Sequence, residues 1–262
     1  MYKRQPLGVL GAAIATLIAQ AVSAVLVTVT LMYRTEGMKL CLSQIRMYKR
    51  MLQSILKIGL PAGFEAIMYS ISNIIVQVSI NNFGVDTMAA WTAYSKIDFI
   101  FWMINSAFGI SVMTFVGQNY GAGKWDRIRR GTKICLGMAL ISAVSVSIIL
   151  MSAERFLFGI FVNDAGVVEI GIHMMNVIAP AYLLFAFIEV FSGALRAQGA
   201  VVVSTLITMV GICVLRMIWV TLVAAHGTLE QVIICYPITW AAGALAMSIY
   251  YIYKQRKIFQ AR

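Results

Sequence analysis

The sequence predicts an all-α integral membrane protein with seven transmembrane helices. Three observations carry that reading. Of the 262 residues, 61% are hydrophobic and only 12% are charged, with a mean hydropathy of +0.85; a soluble domain carries about twice that share of charge. The apolar residues fall in blocks of about 20, the length a helix needs to cross a hydrocarbon core of about 30 Å. Within each block they run on without alternating with polar residues. That excludes a β-barrel and leaves the helix, which satisfies every backbone amide in lipid.

The segments, in order, are 7–32, 60–82, 88–116, 131–151, 168–193, 201–224 and 230–253. Most of the 21 basic residues fall on one side of them. Arg34, Lys39, Arg46, Lys49, Arg50 and Lys57 lie in the first connection, and Lys124, Arg127, Arg129, Arg130 and Lys133 in the third. Arg196 and the closing Lys254, Arg256, Lys257 and Arg262 lie on the same side. Basic loops face the cytoplasm, so the chain is expected to start outside the cell membrane and to end in a basic cytoplasmic tail, residues 255–262. Lys3 and Arg4 stand against that rule, and residues 1–6 are therefore expected to be a non-native leader. A net charge of +11 suits loops on an anionic lipid leaflet. The lipid bilayer, not nucleic acid, is the expected partner.

Residues 34–58 are expected to form a cytoplasmic connector containing an interfacial helix. Ile45, Tyr48, Leu52 and Ile55 recur at three- and four-residue steps, while Arg46, Lys49, Arg50, Gln53 and Lys57 take the other face. That pattern suits a helix lying along the head groups; a calmodulin-type target is the alternative.

No cofactor, metal or catalytic constellation is expected. Cys41, Cys135, Cys213 and Cys235 are far apart with no paired spacing, and His173 and His226 are too few for a metal site. The stretch "VGQNYGAGKWDRIRRG" (116–131) invites a phosphate-loop reading. Five residues separate Gly117 from Gly123, however, and Lys124 is followed by Trp125 instead of Ser or Thr. A tight turn ending at a head-group tryptophan fits better. Seven spans that start outside and end inside are also the arrangement of a receptor. Against it, Asp126 and Arg127 follow a glycine turn, Ile128 stands where an aromatic residue is usual, and Tyr236–Pro237 lacks the receptor motif of the last span.

Four stretches resemble one family in the right order. "GQNYGAGKWDRIRRG" (117–131) is similar to the loop after the second helix of a lobe in multidrug and toxic compound extrusion (MATE) transporters. "KIGLPAGFEAIMYSISN" (57–73) resembles the start of their second six-helix lobe, with Pro61 at the mouth of a helix. "PAYLLFAFIEVFSGALRAQGA" (180–200) resembles that lobe's fourth helix and the turn after it, and "GVLGAAIATLIAQAVSAVLV" (8–27) the last helix of the first lobe. The resemblance implies that 7–33 is the last helix of a first lobe and that 59–254 is a six-helix, MATE-like second lobe. It further implies a cation-coupled antiporter, exchanging inward H+ or Na+ for a small organic cation or amphiphile, with a missing N-terminal lobe as partner. A lipid-linked saccharide flippase of the same superfamily is the alternative, and would need a strongly cationic cavity.

Charges at membrane depth cost from about 2.5 kcal/mol upward, so each one suggests a function. Five fall there: Glu65, Lys96, Asp98, Glu189 and Arg216. Lys96, Asp98 and Arg216 are expected to satisfy one another as structural charge pairs. Glu65 and Glu189, at similar depth and with no obvious cation apart from the basic connector and Arg196, are candidates for ion coupling, and Asp98 is a further candidate for ion coupling or substrate contact. Asn73, Gln77 and Asn105 can bridge helices or touch substrate. Tyr69, Tyr94, Phe101, Trp102 and Tyr182 offer ring faces to a lipophilic cation. Pro180 and Pro237 are expected to kink their helices. In the family's coupled members a carboxylate lies in the first helix of this lobe and another in the fourth. Glu65 matches the first helix one turn earlier than the sodium branch's pattern, and Glu189 stands one turn from an apolar residue near Phe185 at the fourth helix's acidic position. The resemblance thus leaves the ion open.

Overall fold

The computed structural model describes residues 8–33, 40–41, 45–223 and 227–260. The expected leader at 1–6, residues 34–39 of the connector and His226 lie outside them. The chain divides into two compact units, residues 1–54 and 55–262.

The first unit carries α1 (Gly8–Tyr33), 26 residues without an Asp, Glu, Lys or Arg. Two of its hydroxyls are satisfied within the helix: Thr28 and Thr30 donate back to the carbonyls of Ala24 and Leu26 at 2.7 and 2.8 Å.

The second unit holds the other spans from residue 55 on, the first turns of α2 falling in the first unit. α2 runs from Lys49 to Asn81 and contains Pro61. The interfacial helix expected within the connector 34–58 is therefore not separate from α2 among the described residues. Residues 45–48 are non-helical, and 49–58 are the first turns of α2. The amphipathic spacing is present, but it fits the polar end of a long helix as well as it fits a short helix lying flat. Then follow α3 (Val85–Gly121) and α4 (Trp125–Ser152). The glycine motif between them is a turn: Gly123 takes φ +67°, the left-handed conformation that closes a helix, and Trp125 meets Tyr120 edge-on at 5.0 Å.

A short α5 (Glu154–Phe161) links α4 to α6 (Ala165–Ile178), which Asp164 caps by accepting from Gly166 N and Val167 N at 2.8 and 3.1 Å. Pro180 breaks the fifth span as expected, through a 3-10 turn at Ala179–Ala181 before α7 (Tyr182–Ala197). The sixth span is less regular than its composition suggests. α8 (Val201–Thr208) passes into a π turn at Met209–Val214, then α9 (Leu215–Ile218), then a second π turn at Trp219–Val223. In the last span α10 (Leu229–Ile233) gives way to α11 (Cys235–Gln260), the break falling one turn before the backbone position where Pro237 lacks a donor.

α7 is the centre of the lobe, packed along α3, α4, α8 and α11. Lipid tails are as apolar as leucine, so membrane helices associate through close backbone approach at small residues. A Cβ on Gly193 of α7 would stand 2.8 Å from the Gly109 carbonyl oxygen of α3, and one on Gly211 would stand 3.2 Å from the Gly243 Cα of α11. The Ser192 and Ser204 hydroxyls join α7 to α8 at 2.9 Å. α2 differs: it has no extended close approach to any neighbour among the described residues, and only Ser72, Val76 and Ile80 on it are buried.

Candidate functional site

The stripe Glu65, Tyr69, Ser72, Val76 and Ile80 recurs on α2 at three- and four-residue steps, so these side chains share one face. That face meets the rest of the lobe across two cavities, with Tyr69 lining both.

The first cavity has a volume of about 290 Å³ and brings Glu65 of α2 together with Glu189 and Arg196 of α7. Arg196 Nη2 donates to both Glu65 oxygens, at 2.7 and 2.9 Å, and the Thr205 hydroxyl donates to Oε2 at 3.0 Å. The ion pair is largely shielded, its side chains 29% and 13% exposed. Glu189 and Arg196 are seven residues apart, two helical turns, and so lie on the same face of α7. The Glu189 carboxyl fills the space over Gly109 that any Cβ there would occupy. It forms no salt bridge among the described residues. One carboxylate is thus clamped by a guanidinium and a hydroxyl, and a second stands beside them without a cation of its own.

The other cavity, about 490 Å³, gathers Tyr69, Asn73, Gln77, Asp98, Trp102 and Arg216. The expected mutual pairing of Lys96, Asp98 and Arg216 does not occur. Lys96 is exposed and in no ion pair among the described residues, because positions two apart on a helix point to different sides. Asp98 accepts instead from Tyr182 Oη and, at 2.6 Å, from Trp102 Nε1. Tyr94 extends the chain to Tyr182, their hydroxyls 3.2 Å apart. Arg216 donates from Nη1 to Asn73 Oδ1 at 3.2 Å and lies with its Cζ 4.2 Å from the Tyr236 ring centroid. Gln77 donates to Asn81 on its own helix at 2.8 Å.

Of the aromatic candidates, Tyr69, Tyr94 and Trp102 line this cavity. Phe101 and Tyr182 stack on each other behind it, ring centroids 3.9 Å apart, as packing residues. Asn105 is buried away from both cavities. Sequence reasoning missed Thr205 as a Glu65 partner, Gly109 as the seat of Glu189, and Trp91, Tyr236 and Trp240 as cavity walls. The glycines carried a usable signal, since a glycine in an apolar span marks a close approach; the hydroxyl carried none.

A family model, MatE, matches residues 61–222. The chain is 25% identical over 266 aligned residues to the probable multidrug resistance protein YoeA of Bacillus subtilis, covering 98% of this chain and 57% of that protein. It is 26% identical over 213 residues to the probable multidrug resistance protein NorM of Thermotoga maritima, covering 80% and 45%. Among solved structures, MATE in complex with MaL6 superposes with a TM-score of 0.89 at 17% identity, covering 99% of this chain and 59% of that one. The chain thus spans about half the length of the relatives it matches. With the family model matching well over half its residues and the same six-span lobe in place, this chain belongs to the MatE family of membrane proteins.

Proposed function

We propose that the chain works in a secondary active transporter that exports organic cations or related amphiphiles across the cell membrane in exchange for inward H+ or Na+. The observation that carries this reading is the pair of carboxylates in one membrane-depth cavity, Glu65 held by Arg196 and Thr205, and Glu189 beside them over Gly109. The names of YoeA and NorM, multidrug resistance proteins, point the same way.

Charge balance sets the mechanism. With both carboxylates ionised, the cavity holds one more negative charge than positive, which favours a cationic solute. A proton or a sodium ion arriving at Glu65 cancels that excess, leaving Glu189 as the counter-charge of Arg196. A neutralised Glu65 no longer holds Arg196, and α2, lacking close helix contacts, is then free to shift and release the solute. Binding thus biases two arrangements of one lobe, as alternating access requires. The substrate path lies between this lobe and a second one, and the basic end of α11 faces the cytoplasm. The flippase alternative needs a strongly cationic cavity; here two carboxylates face one guanidinium.

The test is gradient-driven ethidium movement in proteoliposomes of the full-length protein, with proton and sodium gradients imposed separately. Glu65→Gln and Glu189→Gln are each expected to abolish the dependence on the gradient that drives the wild type. Unchanged efflux in both variants would remove these residues from the mechanism.

A further inference from the structure

The larger cavity contains a group that ion coupling does not use. Arg216 sits on α9, the four-residue segment between two π turns, and is 1% exposed. Local π geometry is uncommon and often marks a functional position. The guanidinium keeps its charge in any protein environment, yet it forms no salt bridge among the described residues. Nη1 is engaged by Asn73, whereas Nε and Nη2 are buried and have no hydrogen-bond partner. These two nitrogens lie on one edge of the guanidinium, their N–H bonds parallel, in the fork that matches the two oxygens of a carboxylate.

Two further unpartnered donors belong to residues of the same cavity, the Tyr69 hydroxyl and Trp240 Nε1. Three acceptor oxygens there are already taken. Both Asp98 oxygens receive a donor, from Tyr182 and Trp102, and Asn73 Oδ1 receives Arg216. The buried Nε–Nη2 edge of Arg216 has no acceptor among the described residues, and an occupant that pairs with it must bring one. Its other walls are rings, among them Trp91, Trp102 and Tyr236, and its volume of about 490 Å³ is that of a site for a small drug-sized molecule.

We propose that this cavity binds aromatic carboxylates, the carboxylate on the Nε–Nη2 edge of Arg216 and the aromatic part between the tryptophan and tyrosine rings. Tyr69, only partly buried on the loosely packed α2, is the wall that turns aside to admit the carboxylate. The inference rests on the transport reading only in making this a substrate subsite; binding itself is independent of it.

The test is equilibrium dialysis of the full-length protein in lipid nanodiscs against three probes of one shape: 1-naphthoate, the neutral 1-naphthamide and the cationic 1-naphthylmethylamine. The wild type is expected to bind naphthoate about tenfold or more tightly than naphthamide, the size of a charge-assisted fork, and to bind the amine most weakly. Arg216→Gln should remove the preference for naphthoate over naphthamide, and Arg216→Lys should restore part of it. Equal binding of naphthoate and naphthamide, a preference for the amine, or a preference for naphthoate that survives Arg216→Gln would each overturn the proposal. Should Arg216→Gln fail to fold, the order of the three probes on the wild type still decides. Binding is read by dialysis with no gradient imposed and coupling by gradient-driven ethidium movement, so the two proposals fail separately.

Discussion

α2 and α7 are both apolar spans of the same lobe, but they are held in different ways. α7 is locked by backbone approach: Gly193 lies against Gly109, and most of its residues are buried. α2 meets its neighbours through long polar side chains that reach across cavities, Glu65 to Arg196 and Thr205 at one level and Asn73 to Arg216 two turns further along. Close packing has one arrangement. A polar bridge between helices has two, formed and broken, and a change of charge selects between them. The contrast separates a closely packed scaffold from an element held by polar bridges.

Substitutions on the two helices should therefore fail differently. The largest effect is expected from Gly193→Leu. Its Cβ would stand 2.8 Å from the Gly109 carbonyl oxygen and 2.9 Å from Val112 Cγ1, and overpacking costs about 1–3 kcal/mol even where neighbours are side chains that can shift. Against backbone the lobe should fail to assemble, seen as loss of the monodisperse peak in detergent chromatography. Arg196→Ala comes next: it strands the Glu65 carboxylate, and breaking a buried pair costs about 3–5 kcal/mol, the lower end applying at this exposure. Thermal melts should show that loss, and replacing both partners by Leu should recover most of it. A double variant as unstable as Arg196→Ala would mean that Glu65 and Arg196 do not act as a pair. The smallest effect is expected from Asn73→Ala, which removes one hydrogen bond worth about 1 kcal/mol. A melt shifted as far as that of Arg196→Ala would place the main hold on α2 at the wrong level.

How much of this is legible in the sequence follows from what hydropathy and spacing encode. The seven spans, the turn at Gly123 and the break at Pro180 are local properties, and the structure has each of them. The Glu65–Arg196 pair is within reach of depth counting, since both lie toward the basic side of their apolar segments, 60–82 and 168–193. Helical geometry alone is enough to separate Lys96 from Asp98. The π turns around Arg216 are not legible, because Met209–Val214 and Trp219–Val223 are ordinary apolar sequence whose extra residue per turn comes from packing. Nor is the beginning of α2 at Lys49, since an amphipathic pattern does not say where the membrane surface cuts the helix.

The claim on which the rest depends is that the Glu65–Arg196 bridge holds α2 to a fixed scaffold and that the coupling ion opens it. Spin labels at Ile67 of α2 and Ile141 of α4, both exposed at 56% and 70%, measure this directly by pulsed electron resonance on the full-length protein in nanodiscs. The account predicts a distance that changes when the pH is lowered or sodium is added, and a Glu65→Gln variant that shows the changed distance under every condition. A single distance, the same in the wild type at all pH and sodium values and in the variant, would contradict it.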